Sequence, residues 1–170
     1  MKPSRILEKY GSDKVIAHSY AEFYDSELSR LKEPLDFLEI GILGGASLRA
    51  WKELFPNSSI TGIDIVDCKP IEGVEIIKAD IKDVKLKEKY DVILDDSSHD
   101  LLESMYEVIN FLPNLKDDGM LIIEDVQIPE TYLSAYRSVL PKGYVIECYD
   151  RRMVRGKHDD FIVKITKKND

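Results

Sequence analysis

The sequence predicts a Rossmann-like α/β fold: a doubly wound, mostly parallel seven-stranded sheet that ends in a C-terminal antiparallel hairpin. Two observations predict it. Apolar runs of strand length alternate with stretches of helical period, the pattern of a parallel sheet covered on both faces. The last two strands break the alternation and imply one antiparallel strand near an edge.

Each element follows from a local signal. From 16 to 31, Ile16, Tyr20, Phe23, Tyr24 and Leu31 recur at mostly helical spacing and predict one helix. "PLDFLEIG" reads as a short buried strand, Asp36 to Ile40, closed by Gly41. In "GGASLRAWKELF", Leu48, Trp51, Leu54 and Phe55 share a helical face, and Pro56-Asn57 stops the helix. "SSITGIDI", "VEIIKADI" and "YDVILDD" read as the next three strands, with Asp64, Asp80 and the Asp95-Asp96 pair at their ends. "LLESMYEVINFL" follows as an amphipathic helix, with Leu101, Leu102, Met105, Tyr106, Ile109 and Leu112 on its apolar side. "GMLIIEDV" is a fifth strand, and "PETYLSAYRSVL" a helix with Pro129 in its first turn. "YVIECYD" and "DDFIVKITKK" are the last two strands, joined by the basic turn "RRMVRGKH".

Composition bounds the function. The 170 residues suit a single domain, 1–170, with a sizeable core. A net charge of −8 gives no footprint for nucleic acid or an anionic membrane surface. No apolar stretch approaches bilayer length, and "MKPSRILEKYGSDK" has no apolar signal core, so a cytoplasmic location is expected. Cys68 and Cys148 lie far apart and read as two reduced thiols.

The acids close strands, and in open α/β sheets ligands bind at the carboxyl ends of the strands where the topology switches. "LEIGILGGAS" joins the first strand to its helix, and its glycines let a backbone approach a ligand at a helix N-terminus. Its G-x-x-G-G spacing differs from the dinucleotide fingerprint, and a glycine-rich tight turn remains an alternative reading. Asp64, an acid about twenty residues past the glycines, suits a ribose diol. Asp80 is placed to accept from an adenine amino group. Asp95, Asp96 and Asp100 could instead favour the N-terminus of the Leu101 helix. His99 alone reads equally as a cap, His158-Asp159-Asp160 as a polar turn, and Tyr20, Tyr24 and Trp51 as core.

Taken together, Glu39, Gly41, Gly44, Gly45, Asp64 and Asp80 resemble the cofactor site of class I S-adenosylmethionine-dependent methyltransferases. "YGSDKVIAHSY", "EIGILGGASLRAWKELFP", "DDSSH" and "LIIEDVQ" further resemble the metal-dependent sugar O-methyltransferases of macrolide and related antibiotic pathways. The resemblance implies that Asp96, Glu124 and Asp125 hold Mg²⁺ or Mn²⁺, and that His99 is the general base, working with Asp96. It implies a cofactor site of Glu39, Gly41, Gly44, Gly45, Ser47, Asp64, Ile65 and Asp80, with Asp95 supporting it from beside the metal. The helical N-terminal segment, 1–33, would close over the cofactor through Gly11, Ser12, Asp13, Lys14 and His18. Ser97 stands where that family usually has glycine.

The implied reaction is methyl transfer from S-adenosylmethionine to a hydroxyl of a sugar or glycosylated small molecule. Transfer to a catechol-type diol, and a cofactor-binding module without activity, are the alternatives. Arg151, Arg152 and Arg155 would either meet an anionic sugar conjugate or form a solvated turn. With short connections above the sheet, a homodimer or higher homo-oligomer is expected to complete the acceptor pocket.

Overall fold

The computed structural model describes residues 2–168. Its sheet has seven strands in the order β3-β2-β1-β4-β5-β7-β6. They are β1 (Asp36–Ile40), β2 (Ser59–Asp64), β3 (Val74–Lys78), β4 (Tyr90–Asp95), β5 (Leu115–Ile123), β6 (Tyr144–Asp150) and β7 (Phe161–Lys167). The helices are α1 (Pro3–Lys9), α2 (Asp13–Ile16), α3 (Ala21–Glu27), α4 (Ala46–Leu54), α5 (Leu101–Phe111), α6 (Pro129–Val139) and α7 (Arg152–Arg155). β1 to β5 pair in parallel, and β7 runs antiparallel between β5 and β6. The expected doubly wound sheet and C-terminal antiparallel hairpin are therefore present.

Strand periodicity divides the core between the two faces, because successive side chains point to opposite sides. Phe37, Val92, Leu94, Met120 and Ile122 meet Tyr24, Leu48 and Trp51 on the face covered by α1, α3 and α4. Leu38, Ile93, Leu121 and Ile123 meet Val108, Phe111, Tyr132 and Tyr136 on the face covered by α5 and α6.

Three local expectations are corrected. The helix expected over 16–31 is confined to α3 and a 3-10 turn at Leu28–Arg30, while Ile16 ends α2 across a break at 17–20. The break turns Lys14 and Tyr20 toward the same edge of the sheet, where each has a polar partner. The third strand stops at Lys78, and Asp80 instead caps a short 3-10 turn by accepting from Lys82 N at 2.9 Å. On α5 the buried residues are Ser104, Glu107, Val108 and Phe111, while Leu102 and Ile109 are exposed. The polar Ser104 and Glu107 can face the sheet because Ser104 donates to the buried Asp95 and Glu107 accepts from the part-buried Ser97 hydroxyl.

Candidate active site

Register brings the strand ends level. Ile40 lies opposite both Ile63 and Asp95, and Asp95 opposite Ile123. Gly41, Asp64, Asp96 and Glu124, one residue on in each strand, therefore share one edge. The order reverses between β1 and β4, so this edge is the switch point of the sheet. A cavity of about 530 Å³ opens there, a volume typical of small-molecule sites.

At one end of the cavity the glycine loop provides Gly41 and Gly44, α4 provides Ser47, and β2 and β3 deliver Asp64, Ile65 and Asp80. At the other end stand Asp96, His99 and Asp125. Gly11, Ser12 and Asp13 wall it from the N-terminal segment. Gly41 has φ +80°, and a Cβ there would stand 2.0 Å from the Asp96 carbonyl oxygen, so the close passage of β1 beside β4 admits only glycine. Asp64 holds the loop in place: Oδ2 accepts from the Ile42 and Leu43 amides at 2.8 Å each, and Oδ1 from Val66 N at 2.9 Å.

The Asp96, His99 and Asp125 side chains offer ligand atoms that all lie within 4.8 Å of one another. His99 Nε2 is 3.6 Å from Asp125 Oδ2. His99 (φ +58°) and Asp125 (φ +54°) both occupy the left-handed region, and such strain gathers at functional sites. The Tyr132 hydroxyl anchors the His99 turn by donating to its carbonyl at 2.6 Å.

Lys14, His18, Glu39, Gly45 and Asp95 are not on the cavity wall. Lys14 is buried behind it, its ammonium touching Asp96 and Glu124 and lying 3.3 Å from Glu39. Burial alone would lower the Lys14 pKa, but the three carboxylates outweigh it and raise it. Glu39 accepts from Trp51 Nε1 at 2.9 Å, and burial pushes its carboxyl up to about 7 against the pull of Lys14. Glu124 stands apart from the Asp96–His99–Asp125 cluster: Oε2 meets Lys14 and Oε1 accepts from the Tyr24 hydroxyl at 2.6 Å. Burial raises the Asp96 and Glu124 carboxyls, with Lys14 opposing. His18 turns toward Asp160, and Gly45 begins α4 with φ +72°.

Asp95 supports the site from below. Its Oδ1 accepts from the Ser97 amide at 3.1 Å and hydroxyl at 2.8 Å, and its Oδ2 from the Ser104 hydroxyl at 3.1 Å. The Ser97 hydroxyl thus adds a tie to this loop beyond the amide bond that a glycine would also make. Beside Asp95, the buried Glu107 carboxyl is pushed up to about 10, by burial first and then by the Asp95 charge.

Four residues are more deeply involved than sequence patterns suggested. Tyr20 and Tyr24 belong to the core, yet their hydroxyls reach Asp125 (2.5 Å) and Glu124 (2.6 Å). Asp160 is fully buried rather than part of a polar turn, 2.7 Å from His18 Nδ1. Glu107 sits on the inner side of α5. Nothing local in the sequence marks these hydroxyls, Asp160 or Glu107. The basic turn also changes meaning. Arg151 pairs with Glu22 at 2.7 Å, Arg152 with Asp150 at 2.7 Å, and Arg155 donates to the Val15 and Ile16 carbonyls. All three arginines are engaged within the chain, and Arg155 latches α7 onto the N-terminal segment.

A seven-stranded sheet of this order, with a glycine loop and acids at successive strand ends, defines the fold of class I S-adenosylmethionine-dependent methyltransferases. No family model matches the chain. In sequence it is 27% identical over 141 residues to mycinamicin VI 2''-O-methyltransferase of Micromonospora griseorubida, covering 72% of this chain and 35% of that protein. It is 30% identical over 139 residues to L-olivosyl-oleandolide 3-O-methyltransferase of Streptomyces antibioticus, covering 71% of this chain and 36% of that protein. In structure it superposes on the mycinamycin-pathway methyltransferase MycE, solved with Mg, SAH and mycinamycin VI, with a TM-score of 0.75 and 20% identity. That superposition covers 99% of this chain and 55% of MycE. The chain therefore resembles sugar O-methyltransferases of macrolide biosynthesis while spanning about a third of the length of the curated relatives, 35% and 36%. Among the described residues no helix is long and apolar enough to cross a membrane.

Proposed function

We propose that this protein is an S-adenosylmethionine- and Mg²⁺-dependent O-methyltransferase acting on a hydroxyl of a sugar or glycosylated small molecule. The observation that carries this reading is a single cavity running from the glycine loop, Asp64 and Asp80 to the Asp96–His99–Asp125 cluster. The relatives' reaction class and the Mg and SAH bound to MycE support it.

The residues present fit both groups. With three of its roughly four acceptor sites filled by backbone amides, Asp64 keeps one on Oδ1 for a ribose hydroxyl beside the backbone cradle at Gly41, and Asp80 lies further along the same wall. The exposed apolar side chains of Ile65 and Val66 flank Asp64 and offer a surface for the adenine. Asp96 and Asp125 are hard oxygen donors suited to Mg²⁺, while Glu124, behind them, is held by Lys14 and Tyr24. When bound, the sulfonium supplies the methyl electrophile, and the cation lowers the cost of negative charge on the acceptor oxygen. The protein's share is placement and proton removal. His99 stands at the cavity wall to take the hydroxyl proton, and Asp125 stabilises the imidazolium that forms. The N-terminal segment walls the cavity at Gly11, Ser12 and Asp13 and would limit water in it once the cofactor is bound.

The test is ligand-dependent stability and turnover. S-adenosylhomocysteine should raise the melting temperature, and Asp64→Ala should remove most of that rise. Methylation across a panel of glycosides should stop in EDTA and return with Mg²⁺ or Mn²⁺. Unchanged S-adenosylhomocysteine affinity in Asp64→Ala, or full turnover in EDTA, would sink the reading.

A further inference from the structure

We infer that the chain holds a second divalent cation, in a site formed by His18, Asp159 and Asp160, with the Asp125 carboxylate shared between it and the Asp96–His99 side. Apart from the shared Asp125, the site uses none of the residues given a role in the proposed function, and it is reached from a different observation.

His18, Asp159 and Asp160 offer ligand atoms that all lie within 4.8 Å of one another. Asp160 is 0% exposed, and while its Oδ1 lies 2.7 Å from His18 Nδ1, its Oδ2 is buried with no hydrogen-bond partner. A buried carboxylate oxygen without a partner is costly, and a cation is the partner that three adjacent acids would accept. Among the described residues no Lys or Arg pairs with Asp125, Asp159 or Asp160; the ionic contacts of Asp125 and Asp160 are to His18 and His99 alone.

The fold builds this arrangement from distant parts. The start of β7 returns to the ligand edge beside β5, where Val126 N donates to Phe161 O at 3.1 Å, and this places Asp159 and Asp160 next to Asp125. The break between α2 and α3 brings His18 over them. Its ring stacks on Tyr20 at 5.2 Å, and the Tyr20 hydroxyl lies 2.5 Å from Asp125 Oδ1 and 3.0 Å from the Asp159 carbonyl. Asp125 then has one oxygen on each side: Oδ1 is 3.2 Å from His18 Nδ1, and Oδ2 is 3.6 Å from His99 Nε2. His18, Asp159 and Asp160 on one side of Asp125, and Asp96 on the other, form a frame for a pair of cations. The imidazole-and-carboxylate set favours Mn²⁺ or Zn²⁺ over Mg²⁺ in the second position.

The experiment strips the full chain with EDTA and titrates it with Mn²⁺, reading stoichiometry by calorimetry and the ions' mutual coupling by electron paramagnetic resonance. Wild type should bind two Mn²⁺ per chain with spin-coupling broadening. His18→Gln and the near-isosteric Asp160→Asn should each bind one and lose the broadening. Asp96→Asn should keep the His18-dependent ion and lose the other. Metal-free melting curves establish that each variant is folded; if Asp160→Asn is not, the less buried His18→Gln decides. One Mn²⁺ or none per chain in wild type, or two retained in His18→Gln, overturns the inference. Failure of the proposed function is read separately, in S-adenosylhomocysteine binding.

Discussion

Glu107→Gln is expected to stabilise this protein, increasingly so as pH rises. Glu107 is 1% exposed on the inner side of α5, its Oε1 is 3.1 Å from the Ser97 hydroxyl, and its Oε2 has no donor. Burial and the neighbouring Asp95 raise the carboxyl from 4.5 to about 10. The folded chain therefore holds a proton at neutral pH that the unfolded chain releases. For an acid whose folded pKa is raised, the contribution to stability is complete below the unfolded value. It is lost progressively as pH climbs toward the folded value. At about 1.4 kcal/mol per pH unit, the loss between pH 5 and pH 8 has a ceiling of about 4 kcal/mol. Glutamine presents a similar donor and acceptor with no proton to take up, so it escapes this loss. Urea melts of wild type and variant at four pH values across that window measure the difference. It should widen with pH in favour of glutamine, by at least ~1 kcal/mol over the window. A difference that stays flat, or a variant less stable than wild type at pH 8, would refute the reasoning.

Three further outcomes follow from the same geometry. Gly41→Ala should cost roughly 3 kcal/mol or more, because its Cβ would meet the Asp96 carbonyl at 2.0 Å in a backbone with φ +80°; a melting temperature equal to wild type speaks against the close passage. His99→Ala should retain S-adenosylhomocysteine binding while turnover falls by about two to four orders of magnitude; a loss under about threefold would remove the general base. The N-terminal segment walls part of the cavity through Gly11, Ser12 and Asp13, and a second subunit is proposed to complete the acceptor end. Light scattering should then give a multiple of 19.5 kDa, and a fully active species of that mass alone would exclude the shared wall.

Much of the site was legible because its residues end strands. Asp64, Asp96, Glu124 and Asp125 follow apolar runs, and a parallel sheet brings such ends to one edge whatever the packing. The face of α5 was not legible. Its apolar residues Leu102 and Ile109 are exposed, while Ser104 and Glu107 are buried. Periodicity assigns polar residues to solvent, and it cannot see the Asp95, Ser97 and Tyr136 side chains that satisfy them. The break at 17–20 was hidden for the same reason: helical spacing persists on both sides of it, and the contacts that favour it lie elsewhere in the chain.

The sequence by itself determined the alternation of strands and helices, the edge where ligands bind, and the acids and histidine that reach it. These follow from local periodicity and from residues adjacent in the chain. Only the tertiary structure decided which charges neutralise one another. Lys14 meets Asp96 and Glu124 across 82 and 110 positions, and His18 meets Asp160 across 142. The balance of burial against pairing that sets the state of those groups depends on distance in space, and no local pattern carries it.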